Sequence, residues 1–163
     1  MSSAYSIGGY VFKVEDFFPK KLFDKITDMR VGGVGAALQR VAKTAKAKPE
    51  STNIVLEEAK KRIKRLSLTK DGKLTILAAD HPARMVTQVG DDPVAMGNRY
   101  ELLGRVLRVI TDEEFDGVMS TPDIIDELFM INYLVKEAGG KSFLDGKVIL
   151  GCMNRGGLSG TVF

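Results

Sequence analysis

Cysteine is nearly absent from this chain: Cys152 is the single one in 163 residues. One cysteine excludes an internal disulfide framework and suits a reducing compartment. Histidine is as scarce, with His81 alone. One histidine and one strand cysteine fall short of the three protein ligands of a catalytic zinc site. No metal and no cofactor is therefore expected, although carboxylate-bound magnesium stays open. Long apolar runs are also missing: none approaches the roughly 20 residues of a membrane span. The opening residues, MSSAYSIGGYVFKVEDFF, lack the basic and then apolar regions of a secretory signal. No membrane partner is expected, and the expected location is cytoplasmic. Net charge is small, at +3, which does not call for a nucleic-acid partner. Residues 40–73 do carry 11 Lys/Arg against 4 Asp/Glu, but no aromatic residue for stacking a base. They read as a solvated face rather than a nucleic-acid surface. Residues 101–127 are the reverse, with 8 acidic against 2 basic.

The remainder is ordinary for a globular protein, at 44% hydrophobic and 28% charged. The length suffices for one domain with a real core. Tyr10 and Phe12 hint at a short strand. Pro19 opens a helix whose face is Leu22, Phe23, Ile26 and Met29. Gly32, Gly33 and Gly35 are expected to interrupt it, as a helix–helix turn before a weaker helix over Val34–Val41. They do not follow a strand and lack the full nucleotide-loop fingerprint. Ser51, Thr52 and Asn53 are candidate caps for a helix from about Ile54 to Leu66 with Val55, Leu56, Ala59, Ile63 and Leu66 inside. Asp71-Gly72 marks a turn.

From residue 73 the rhythm changes to strand, helix, strand, helix, strand. The stretch Leu74–Arg84, LTILAADHPAR, begins as a short apolar run and reads as a strand buried on both faces. Asp92-Pro93 is expected to start a helix running to about Ile110, burying Leu102, Leu103, Val106, Leu107 and Ile110. Phe115–Met119 is a second strand. Thr121-Pro122 starts a helix that buries Ile124, Ile125, Leu128, Ile131 and Val135 and ends at Gly139-Gly140. Lys147–Cys152 is a third strand. Such alternation indicates βαβ units in a parallel sheet, with right-handed crossovers placing both helices on one side. Three strands neither close a barrel nor cover their other face. Either the sheet closes into a barrel or further elements cover its other face. The expected fold is therefore a truncated part of a larger α/β protein: about three strands (residues 73–163), as in the N-terminal portion of a TIM (β/α)8 barrel of about 250 residues, preceded by a helical extension (residues 1–72).

Three clusters then converge just beyond the strand ends, where α/β folds build their sites. They are Asp80/His81/Arg84, Ser120/Thr121/Asp123 and Asn154/Arg155. Asp80 is the candidate proton-handling carboxylate, with His81 beside it. Arg84 and Arg155 suit a phosphate or carboxylate group. Thr121, Asp123 and Asn154 complete the substrate-binding set. Each has a structural rival: Asp80 as a loop cap, Thr121 as an N-cap, Asp123 as a partner of the helix dipole, and the arginines as salt-bridge donors. Cys152 reads as an inert strand residue.

The stretches AADHPAR, VGDDPVAM, DGVMSTPDI and GCMNRGGLSG resemble the actinobacterial-type class I aldolase-like (β/α)8 proteins, over about Gly72–Phe163. Met85 departs from that pattern, which has glycine there. The resemblance implies a lyase of carbohydrate metabolism that cleaves a carbon–carbon bond in a phosphorylated sugar or sugar acid. It would act through a Schiff-base lysine without metal, as a homo-oligomer at full length. That lysine would lie beyond Phe163. Lys73 and Lys147 stand at strand beginnings, on the wrong end, so the chain alone is expected to be inactive. The alternative is a barrel that holds an anionic metabolite without cleaving it.

Overall fold

The computed structural model describes residues 4–7, 10–13, 18–41, 50–112 and 114–152. Two short strands, β1 (Ala4–Ile7) and β2 (Tyr10–Lys13), pair antiparallel with Tyr5 opposite Phe12. Two helices follow, α1 (Lys20–Val41) and α2 (Glu50–Lys61). Then come β3 (Ile76–Ala78), α3 (Arg99–Ile110), β4 (Gly117–Ser120), α4 (Pro122–Glu137) and β5 (Val148–Gly151). The last three strands form one parallel sheet in the order β3-β4-β5. The protein is thus mixed α/β, and among the described residues its parallel sheet has three strands and its helices number four.

Register explains the layering. Leu77, Val118 and Ile149 lie side by side across the sheet. All three join one apolar cluster with Leu102, Leu103, Val106, Leu107 and Ile110 of α3 and Ile124, Leu128, Ile131 and Leu134 of α4. The expected inner faces of both helices are therefore correct, and both pack on the same side of the sheet. The alternate row, Ala78, Met119 and Leu150, points the other way, and Ala78 and Leu150 are exposed. This corrects the expectation for residues 74–79. They form an edge strand, half-buried at Ile76 and Leu77, whereas β4 is the enclosed middle strand. A short apolar run does not reveal whether its strand lies at the centre or the rim.

Several element ends also differ from expectation. Helix α1 runs through Gly32, Gly33 and Gly35 without a break. Glycine weakens a helix by about 1 kcal/mol per residue but keeps its N–H, so the hydrogen-bond ladder continues. Helix α2 begins before Ser51 and stops at Lys61. Beyond it the chain is captured by the loop before β5: the Ile63 amide donates to Asp145 Oδ1 at 3.0 Å, the Gly146 amide donates to the Ile63 carbonyl at 2.8 Å, and the Arg62 guanidinium donates to the Leu144 and Lys147 carbonyls. These contacts replace the helical bonds, and Ile63 and Leu66 end up exposed. Helix α3 starts at Arg99, where the Asn98 side chain accepts from the Glu101 amide, rather than at Asp92-Pro93. Residues 89–97 instead form turns. Thr121-Pro122 does open α4 as expected, and Gly139, at φ 84°, closes it.

The two N-terminal helices dock on the α/β part through polar contacts as well as apolar ones. Phe18 stacks on Tyr100 at 5.5 Å, and the Tyr100 hydroxyl donates to the Phe18 carbonyl at 2.6 Å. Arg30 of α1 pairs with the buried Glu127 of α4, which also lies 3.6 Å from Arg99. Burial raises the Glu127 carboxyl above its ordinary value despite both guanidiniums. Glu58 of α2, also buried, accepts from Asn132 Nδ2 at 2.8 Å and from Lys136 Nζ at 2.9 Å.

Candidate functional site at the carboxyl end of the sheet

The parallel pairing continues one step past the strands. The Ala79 amide donates to the Met119 carbonyl, and the Cys152 amide to the Ser120 carbonyl, each at 2.8 Å. Ser120 is fully buried, and its hydroxyl donates to the Ala79 carbonyl at 2.9 Å, which fixes the end of β3 against β4. Asp80 follows at once. The chain then bends into a single 3-10 turn, His81–Arg84, with Pro82 near its start. A 3-10 turn stacks residues three apart and suits such short connections. Here it swings Arg84 back over Asp80.

The result is a compact polar cluster. Asp80 is only 4% exposed. Its Oδ2 accepts from Arg84 Nε at 2.8 Å and from Cys152 Sγ at 3.4 Å. His81 Nδ1 lies 3.9 Å from the other oxygen, Oδ1, with its ring half exposed. Burial alone would push the Asp80 carboxyl up. The Cys152 thiol, the Arg84 guanidinium and the residue's own amide outweigh that and hold it below the ordinary value. Burial, with the hydrogen bond to Asp80 and its charge, pushes the Cys152 thiol up. At neutral pH the pair is a carboxylate and a protonated thiol, and Cys152 is a donor rather than a nucleophile. Asp80 does not cap the turn, since its side chain makes no capping bond there.

This arrangement makes stability depend on acid. A folded-state value below the unfolded one means that the unfolded chain takes up the proton first as pH falls. The stabilisation from Asp80 is therefore complete above the ordinary value of 3.8 and is lost as pH drops from there through the lower folded-state value. Urea midpoints measured from about pH 6 down to pH 2 should fall less steeply in Asp80→Asn than in the parent. Equal slopes would mean that Asp80 is not held as described.

Met85 ends the turn at φ 61°, the sole non-glycine residue with positive φ among those described. A side chain there costs about 1–2 kcal/mol, and Met85 is exposed, so its side chain recovers little by packing. Met85→Gly should raise stability by about 1 kcal/mol after the added freedom of the unfolded chain is counted. A melting temperature lower than the parent's would contradict this.

The other candidate residues divide. Thr121 sits at the N-cap of α4, where its carbonyl accepts from the Ile124 and Ile125 amides. Asp123 lies in the first turn of α4 and pairs with Arg99. Burial raises its carboxyl, but the Thr121 hydroxyl and Arg99 more than offset this, and the net direction is down. Thr121 and Asp123 thus belong to the joint between α3 and α4, and among the described residues neither is hydrogen-bonded to the Asp80 cluster. Asn154 and Arg155 lie outside the described residues. Cys152 was missed as a member of the site. Its signal was positional: two steps beyond the last β3–β4 pair and one beyond the last β4–β5 pair, Asp80, Thr121 and Cys152 fall in one row. An apolar pocket of about 250 Å³ lies between β3 and α3, lined by Leu77, Pro82, Met96 and Val106 among others, and it shares His81 with the cluster and reaches Arg105 of α3. Its exposed walls are almost wholly apolar, so it would hold an apolar part of a ligand rather than a charged one. Among the described residues, no group of three or more His, Cys, Asp or Glu is arranged to hold a metal ion, and no helix is long and apolar enough to cross a membrane.

Comparison with known proteins places these residues. A family model described as Cgl0159-like matches residues 72–163. The crystal structure of Cgl0159 from Corynebacterium glutamicum is 39% identical, with a TM-score of 0.61, covering 86% of this chain and 38% of that one. The chain therefore spans well under half the length of that relative. A search of curated proteins finds no match. The four stretches that resembled class I aldolase-like barrels all fall inside residues 72–163, and the family that matches there is the Cgl0159-like one. That finding corrects the aldolase resemblance.

Proposed function

The chain belongs to the Cgl0159-like family, and from its polar cluster we propose a site for a small hydroxylated anion such as a sugar phosphate or sugar acid. The carrying observation is Asp80: a buried carboxylate at the carboxyl end of a parallel sheet, held by an arginine that is itself 45% exposed. Burying a carboxylate is costly unless it is paired and hydrogen-bonded, and sites in α/β proteins gather at this end of the strands. Arg84 uses Nε for Asp80. Its terminal nitrogens have no other partner among the described residues and offer the planar fork that suits phosphate or carboxylate. Asp80 then accepts from a ligand hydroxyl or handles its proton.

The same reading takes β3, β4 and β5 as consecutive strands of a closed (β/α)8 barrel. Parallel order, helices on one face only, and an apolar row of Ala78, Met119 and Leu150 on the other support it. Carbon–carbon cleavage through a Schiff base is not assigned to lysines at the sheet. Lys147 precedes β5 at its amino end, where Nζ donates to the Asp112 and Phe115 carbonyls, and Lys73 precedes β3.

Calorimetric titration with a panel of sugar phosphates and hydroxy acids tests the reading. At least one should bind, and Arg84→Ala should weaken it about 10- to 150-fold, the loss of one charge-assisted bond of roughly 1.5–3 kcal/mol. Binding that is indifferent to Arg84, or no binding across the panel, would reject it.

A further inference from the structure

The two donors to Asp80 share one oxygen. Arg84 Nε and Cys152 Sγ both point at Oδ2, at 2.8 and 3.4 Å. They arrive from opposite edges of the three-stranded sheet: Arg84 from the turn after β3, Cys152 from the end of β5, with β4 between them. Adjacent strands lie about 4.8 Å apart, so the carboxylate and the thiol reach toward each other across the end of β4. A carboxylate gripped by one donor still turns about its last bond. Two donors from different directions stop that rotation. We propose that Cys152 is a positioning residue that locks Asp80 by Oδ2, so that Oδ1, on the side of His81, is the oxygen presented to a ligand. This inference rests on the reading of Asp80 as the ligand-binding carboxylate.

A plain packing role for Cys152 makes different predictions. Alanine and serine would then behave alike at the end of β5, and Asp80 would not sense either. Positioning by a hydrogen bond requires that serine, which retains a donor, preserve what alanine loses. The coupling also runs in reverse. The carboxylate's charge and hydrogen bond oppose loss of the thiol proton, so removing the charge should make Cys152 more reactive. As the single cysteine, it gives an unambiguous readout.

The test titrates the full chain without ligand. Carbon-13 NMR of the Asp80 carboxyl should show a higher midpoint in Cys152→Ala than in the parent, with Cys152→Ser close to the parent. In parallel, iodoacetamide should alkylate Cys152 several-fold faster in Asp80→Asn than in the parent at the same pH below the thiol's titration. An unchanged Asp80 midpoint in a folded Cys152→Ala, or an unchanged alkylation rate in Asp80→Asn, overturns the proposal. Should Cys152→Ala fail to fold, the alkylation arm decides alone. Neither arm needs a metabolite, so positive coupling beside an empty binding panel would reject the ligand reading and leave the lock in place.

Discussion

Gly117→Ala is expected to dismantle the parallel sheet. A β-carbon at Gly117 would lie 2.0 Å from the Val148 carbonyl oxygen and 2.9 Å from its α-carbon. The obstacle is backbone, so no rotamer change relieves it. Nor can β4 move aside, because it is paired on both edges, with Ile76 and Val148 as the partners of Gly117. Overpacking against side chains costs about 1–3 kcal/mol, and a clash with paired backbone exceeds that. Against a total domain stability of about 5–15 kcal/mol, a loss of roughly 3 kcal/mol or more should lower the melting temperature by about 6–12 °C or prevent folding. Gly151→Ala is the control. Among the described residues its added β-carbon would meet only Ile125 Cδ1 at 3.9 Å, an ordinary contact. Two variants with indistinguishable melts would show that β4 and β5 are not paired as described.

Asn132→Leu should cost nearly as much, although leucine has the same branched arrangement of side-chain heavy atoms. Asn132 is 2% exposed on α4 and connects three parts of the chain. Its Nδ2 donates to Glu58 of α2, and its Oδ1 accepts from the Ser142 hydroxyl at 3.0 Å and the Phe143 amide at 3.1 Å. Leucine leaves those two donors and part of the Glu58 carboxylate unanswered. Each unsatisfied buried group costs about 1–3 kcal/mol, so a loss of about 3–5 kcal/mol is expected in denaturant unfolding. Lys136 still faces Glu58, which keeps the figure from rising further. A change under about 1 kcal/mol would mean that water already serves these groups.

Asn132 also shows where sequence patterning stops. The periodicity of α4 selects Ile124, Leu128 and Ile131 correctly, because burial of an apolar stripe is what makes the helix fold onto the sheet. It passes over Glu127 and Asn132, which are buried as deeply, because their burial depends on partners about 70 to 100 residues away in sequence. The parallel pairing of the three strands was legible, since βαβ units leave few alternatives. The ends of α2 and α3 were not, because contacts with Asp145 and a cap at Asn98 replaced the local signals at Leu66 and Asp92. Asp80, His81 and Arg84 were legible as a cluster in one short stretch. Cys152 joins them only when the register of strands is counted across the sheet.

The clasp between residues 62–63 and 144–147 carries a kinetic consequence. Its contacts span 82 and 85 residues, and that interval contains β3, β4 and both helices packed on the sheet. Closing a loop of this size is entropically slow to repay, whereas each strand pairs with the next one along the chain. The clasp is thus placed to form late in folding and to open early in unfolding. In native-state hydrogen exchange, the Ile63 and Gly146 amides should therefore lose protection together and before Val118, so that α2 peels from α4 as a unit while β4 remains paired.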